Sequence, residues 1–260
     1  MAAWAVTTKI TNNKKGQPMK NIVLLAFASL IALSSSHVIS DDHAGNGPYY
    51  AFYEFNVTNP AAVVAAMDEF WASECGKKYP ADVALLTQSF NGANPATHSI
   101  INTFQTAEDQ ANAGEIMRSC PAALTFLQAV GASGAQPTSQ YMGAAPIDEN
   151  DWTQDSAFST FNIIVEPQNQ AVYAQAYAKM MKSVANDVDL RSYGIGAVYF
   201  GRDQFTHWIW TGARSIPELS SISEKLLTHP AYAAFNEEVG SLRTVVNTSQ
   251  NIVLKGYARQ

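Results

Sequence analysis

The sequence predicts an α+β protein made of two tandem ferredoxin-like βαββαβ repeats, and three observations carry that expectation. Ala51-Phe52-Tyr53-Glu54-Phe55-Asn56-Val57 returns as Ala157-Phe158-Ser159-Thr160-Phe161-Asn162-Ile163, with four of seven positions identical. Thr97-His98 recurs as Thr206-His207, and Pro121-Ala122, Phe126 and Val130-Gly131 recur as Pro230-Ala231, Phe235 and Val239-Gly240, all 109 residues further on. Within each copy, stretches of period two and period 3.6 follow one another as strand, helix, strand, strand, helix, strand. A period near 109 is the size of one small domain and too long for a solenoid repeat. The expected division is a first repeat over residues 49–145, a linker over 146–155 and a second repeat over 156–260.

Each element has a local reason. The first strand, residues 50–57, gives way at Asn59-Pro60 to a helix, because proline suits the first helical turn. Val63, Val64, Met67, Phe70 and Trp71 then fall on one helical face. Strands over 83–90 and 98–104 flank Asn91-Gly92-Ala93-Asn94-Pro95, which has hairpin chemistry. A second helix is expected from about residue 107 to 130, broken or bent near Pro121 and ended by Gly131. A strand over 138–144 closes the repeat. The second copy reads alike. Its strands are expected over 158–165, 195–200, 206–211 and 250–257, with one helix over 171–184 and another beginning at Pro217.

The N-terminal segment is different in kind. Met19-Lys20 precedes the apolar run 21–33, too short to span a bilayer comfortably but right for the core of a signal peptide. Cleavage after Ser34 or Ser40 fits, so residues 1–40 read as a leader whose true start is either Met1 or Met19. Localisation is then periplasmic or secreted. Loss of four lysines and no acid takes the formal charge from −6 to −10. That balance argues against nucleic acid or an anionic membrane as partner. Export makes a bridge between the only two cysteines, Cys75 and Cys120, the expected state, with two buried thiols as the alternative.

One helical face per repeat leaves the other face of each sheet to be buried. Here the chain resembles the dimeric α+β barrel superfamily, in its grouping of antibiotic-biosynthesis-monooxygenase-like domains. Trp208-Ile209-Trp210-Thr211 and Thr228-His229-Pro230-Ala231-Tyr232-Ala233-Ala234-Phe235 carry the resemblance. It implies that the two repeats pack sheet to sheet as a pseudo-dimeric barrel, so that a monomer can be complete. Oxygenases of the superfamily often use a first-strand Asn, a third-strand Trp and a His on the second helix. Asn56 and Asn162 match the first, and Trp208 or Trp210 the second. The helical His is replaced by Ala122 and Ala231.

Alternation along the first strand of each repeat separates an apolar face, suited to the helices, from Phe52, Glu54 and Asn56 and from Phe158, Thr160 and Asn162. A carboxylate and amides among rings is what a small-molecule pocket offers, although a barrel rim satisfied by water would show the same pattern. His98 and His207 stand at equivalent strand entrances, either as a base or ligand, or as structural rings bonded to a loop. With Trp210 these complete the candidate ligand-binding residues. His229 reads as a helix-start residue. No nucleophile triad, phosphate loop, HExxH or CxxC is present, and no cofactor or metal site is expected.

Two function classes follow. The first is an exported protein that binds a small apolar or aromatic ligand. The alternative is a cofactor-independent monooxygenase or isomerase. N-terminal sequencing of the protein recovered from its native host is expected to read from Ser35 or Asp41; an intact Met1 or Met19 would refute the cleaved leader.

Overall fold

The computed structural model describes residues 48–201 and 204–260, so the leader assigned to residues 1–40 lies outside the described residues. Strand β1 (Tyr49–Asn56) leads into helix α1 (Pro60–Ala72), followed by β2 (Asp82–Ser89) and β3 (His98–Phe104). Helices α2 (Ala107–Ser119) and α3 (Pro121–Ala132) then precede the long strand β4 (Gln136–Glu149). The second half runs β5 (Ala157–Val165), α4 (Gln170–Val184), β6 (Tyr193–Phe200), β7 (His207–Ala213), α5 (Ile216–Thr228), α6 (Pro230–Val239) and β8 (Arg243–Tyr257).

These strands form one closed antiparallel barrel in the order β1-β3-β2-β8-β5-β7-β6-β4. This corrects the expectation of two tandem ferredoxin-like repeats packed sheet to sheet. There are not two sheets with free edges facing one another, because β4 pairs with both β1 and β6, and β8 with both β5 and β2. The physical cause is strand length. A strand ending at 144 would meet β6 only through Met142, Gly143 and Ala144, whereas β4 continues through Ile147, Asp148 and Glu149 to pair with Ile195, Gly194 and Tyr193 as well. Pro146 has no N–H to give a ladder and sits where the register shifts between Ala144 and Ile147, a break that the chain crosses rather than stops at. Likewise β8 begins at Arg243, seven residues before the strand expected from the sequence.

Local signals place the helices. Asn59 accepts a hydrogen bond from the Ala62 amide at 3.2 Å, capping α1, whose Val63, Ala66, Met67 and Phe70 are buried. Thr106 and Asp109 form a reciprocal capping box at the start of α2. The helix expected over 107–130 is broken, not bent, at Pro121, since Cys120 is extended and Pro121 restarts the helix. His229 does the same between α5 and α6, where its Nδ1 accepts from the Ala231 amide at 3.1 Å. Left-handed backbone after α3 falls at Gly134, with φ +80°, not at Gly131.

Two apolar layers lie outside the barrel, one beneath α1, α2 and α3 and one beneath α4, α5 and α6. A third cluster, including Tyr50, Leu86, Phe158, Trp208 and Trp210, fills much of the interior. Cys75 and Cys120 are disulfide-bonded, with Cα atoms 6.5 Å apart, tying the segment after α1 to the α2–α3 junction. The segment 146–155 holds the end of β4 and a 3-10 turn, and its last residue is an anchor. Asp155, with no side-chain exposure, pairs with Arg191 and accepts from Ser192 Oγ at 2.6 Å.

Two outcomes follow. Residues 156–260 expressed alone leave β6 and β8 as unpaired edges and are expected to associate or precipitate; a stable soluble monomer, seen by analytical ultracentrifugation, would contradict the closed sheet. Replacing both cysteines by serine, which opens a loop of 45 residues, is expected to cost up to about 4 kcal/mol in denaturant unfolding.

Candidate functional site

The barrel encloses a cavity of ≈ 70 Å³. Its aromatic wall comes from both halves: Tyr50, Phe52 and Tyr141 on β1 and β4, Trp152 in the 3-10 turn, and Phe158, Trp208 and Trp210 on β5 and β7. Phe52 and Tyr141 stack with ring centroids 4.5 Å apart, and both also line a depression on the outside. That stacked pair is the partition between cavity and solvent.

The indoles have sockets. Trp208 and Trp210 are opposite Gly196 and Gly194 on the neighbouring strand β6. A Cβ built on either glycine would sit inside the facing indole ring, and one on Gly143 would touch Trp208 at 3.0 Å. Only hydrogen at these positions lets the rings lie flat across the sheet.

Polar groups share the lining with these rings, Thr160 and Asn162 being the ladder partners of Trp210 and Trp208. Glu54, 5% exposed, is the one carboxylate among the lining residues. Gln88 Nε2 donates to its Oε1 and Asn94 Nδ2 to its Oε2, both at 3.2 Å. Asn91 extends the network, donating to Gln88 Oε1 and accepting from Asn247 at 2.7 Å. Asn251 donates to Thr160 Oγ1 at 2.9 Å and to Ser249 Oγ at 3.1 Å. Two carbonyl oxygens in the cavity, Asn162 Oδ1 and Asn251 Oδ1, are buried with no hydrogen-bond partner. An unmet acceptor of this kind costs roughly 1–3 kcal/mol, which a ligand donor restores. Burial, with the charge of Glu54 added, raises the Tyr141 phenol well above its ordinary pKa, so this hydroxyl stays protonated and can donate.

Of the residues expected from the sequence, Phe52, Glu54, Phe158, Thr160, Asn162 and Trp210 share this cavity. Asn56, His98 and His207 do not line it. Asn56 is exposed at the strand end. His98 and His207 alternate with the inward Ser99 and Trp208 and so face the helices. Thr97 and Thr206 explain the repeated pair: each Oγ1 accepts from a first-strand amide, Val57 or Val165, at 2.9 Å, and contacts the Nδ1 of the following His at 2.8 or 2.7 Å. Burial lowers the pKa of His98, keeping its ring neutral. Tyr50, Tyr141, Trp152, Gln88 and Asn251 were missed. Asn251 carries a readable signal, the alternation Ser249, Asn251, Val253 within β8.

With the barrel and its cavity described, the comparisons bear on the fold. A candidate monooxygenase from Fusobacterium nucleatum superposes with a TM-score of 0.57 at 14% identity, covering 82% of this chain and 94% of its own. A second, from Lactobacillus acidophilus, gives 0.55 at 10% identity over 82% and 96%. An anthrone oxidase-like protein gives 0.51 at 14% identity over 81% and 92%. The chain shares its fold with these three structures. No family model and no curated protein sequence matches the chain. At these identities the likeness concerns the barrel alone.

Gly196→Ala forces Trp208 out of its socket and is expected to cost about 1–3 kcal/mol. Near-UV circular dichroism of the folded variant should lose much of its indole signal; an unchanged spectrum would mean that the socket has no such role.

Proposed function

We propose that the protein is a cofactor-independent oxygenase acting on a small hydroxylated aromatic ring held inside the barrel. The observation that carries this reading is the pair of unpartnered buried acceptors, Asn162 Oδ1 and Asn251 Oδ1, on residues that line the same cavity as the aromatic rings. A planar ring fits between indole and phenyl faces, and its hydroxyls supply the two missing donors. The shared barrel with monooxygenase-like proteins supports the reaction class.

In this reading Glu54 accepts a proton from the substrate, since neither His98 nor His207 faces the cavity. Gln88 and Asn94 fix the carboxylate's aim without a cation that would hold it as an ion pair. Proton loss leaves an electron-rich anion, which is the form that passes electrons to dioxygen. A ring C–H para to the deprotonated hydroxyl then becomes a carbonyl, the ring going to the quinone level, with one oxygen atom entering the product and the other leaving in water with the two hydrogens lost from the substrate. Asn162 and Asn251 hold the hydroxyls, and the Phe52–Tyr141 pair keeps bulk water away.

A second reading, ligand binding without turnover, draws on both Glu54 oxygens already having amide donors. The apolar run at 21–33 and the Cys75–Cys120 bridge support export for either.

The test is oxygen uptake with a panel of quinols and other small phenols. One O2 per substrate is expected, with Glu54→Gln lowering kcat by about 100-fold or more and Asn162→Ala acting mainly on KM. Ligand retained in native mass spectrometry with no oxygen consumed would replace the oxygenase by the binding protein.

A further inference from the structure

Tyr50 is unlike the other rings of the cavity. Its ring is 5% exposed and forms part of the aromatic wall, with centroids 6.1 Å from Trp208 and 6.0 Å from Trp210. Its hydroxyl, however, points out of the cavity and donates to Asp148 Oδ2 at 2.5 Å. That is the short limit of a hydrogen bond to a charged oxygen. Asp148 in turn lines an open depression at this end of the barrel, together with Asp82, Asn150 and Asp151. A phenol therefore joins the indoles on one side to a solvent-facing carboxylate on the other. Proton release from this phenol to water is heavily opposed: burial first, and then the Asp148 charge, push its pKa far up. Burial also raises Asp148, which makes its carboxylate a better proton acceptor than one in water.

We infer that Tyr50 and Asp148 form a redox site, in which the phenol gives up an electron toward the cavity and its proton to Asp148. The step balances. A one-electron oxidant removes an electron from Trp208 or Trp210, the indole radical cation takes one from Tyr50, the phenolic O–H bond breaks, and an O–H bond forms on Asp148 Oδ2. The products are a neutral tyrosyl radical, a protonated Asp148 and the reduced oxidant. The oxidant is of the oxygen-centred or substrate-radical class, formed when dioxygen is reduced one electron at a time. Only that source rests on the proposed oxygenase reading. Draining the charge to Tyr50 spares the two indoles, whose oxidation products would no longer fit their glycine sockets.

The neighbouring side chains fit this task. No lysine or arginine lines either the cavity or the depression, so no fixed positive charge opposes the radical cation or competes for Asp148.

The experiment needs no substrate, so a failure of turnover leaves its outcome readable. The full chain is oxidised by a photogenerated ruthenium(III) polypyridyl complex with persulfate, frozen and examined by electron paramagnetic resonance. The wild type is expected to give a tyrosyl signal. Because the chain has 11 tyrosines, assignment rests on Tyr50→Phe, which keeps the ring and should replace that signal by an indolyl one. Asp148→Asn keeps the shape, removes the proton acceptor and should cut the tyrosyl yield severalfold. Circular dichroism confirms that both variants are folded. A tyrosyl signal of unchanged shape and yield in Tyr50→Phe, or an undiminished yield in Asp148→Asn, overturns the assignment.

Discussion

Barrel closure is the constraint on which the cavity and everything inside it depend. A four-stranded antiparallel sheet can be covered by helices on one face, but its other face and both edges stay open. Here β4 and β8 remove the edges by being long enough to pair on both sides. Register shifts fall in each of these ladders, between Glu54 and Phe55, Leu85 and Leu86, Asn162 and Ile163, and twice along β4–β6. Such bulges add the local bend and twist that a small barrel requires. With no edge to protect, the inner faces need not be filled completely, and polar groups can share the lining with aromatic rings.

The same closure sets the tolerances at the indoles. Trp208 and Trp210 are large enough to fill the interior of a barrel of this size, and they leave a cavity only because they lie flat on Gly196 and Gly194. Side chain and socket come from adjacent strands, so the shape of the empty space is fixed by a backbone register and not by rotamer choice. Trp152 adds the wall at one end, reaching in from the turn that Asp155, Arg191 and Ser192 hold in place. Loss of the Asp155 carboxylate would therefore act twice, removing the acceptor of the buried Ser192 and of the half-buried Arg191, and loosening the end of the cavity.

Much of this was legible in the chain, and the rest was hidden for physical reasons. Alternation along β1 and β5 gives their inward faces directly, because a half-buried strand must separate Phe52 and Glu54 from Tyr53 and Phe55. Strand ends are less readable. Ala144-Ala145-Pro146 looks like a stop, and Arg243-Thr244 looks like a loop, since pairing across the halves is a tertiary effect that no local pattern encodes. Tyr141 and Asn251 lie within the expected strands 138–144 and 250–257, so their alternation was readable, but which of their faces points inward depends on pairing across the halves. The histidines misled in the opposite sense. Recurrence drew attention to them, yet what recurs is a threonine that satisfies a first-strand amide, with the ring as its neighbour.

Bulge position also explains why a chain whose halves echo one another has one composite site. Glu54, Asn56, Ser99 and Ile101 correspond in sequence to Thr160, Asn162, Trp208 and Trp210. In the β1–β4 ladder the register shifts just after Glu54, whereas in β5–β8 it shifts only after Asn162. Asn56 is thus past its bulge and exposed at the end of β1, while Asn162 stays in the regular stretch, opposite Trp208 and facing inward. The small Ser99 beside Glu54 leaves room for the amides of Gln88 and Asn94 to reach the carboxylate, room that an indole would take. One half therefore contributes the charge and the amides that orient it, and the other the indoles and the open acceptor. Neither half can make this cavity alone, because Tyr50, Phe52 and Tyr141 arrive from β1 and β4, and Phe158, Trp208 and Trp210 from β5 and β7.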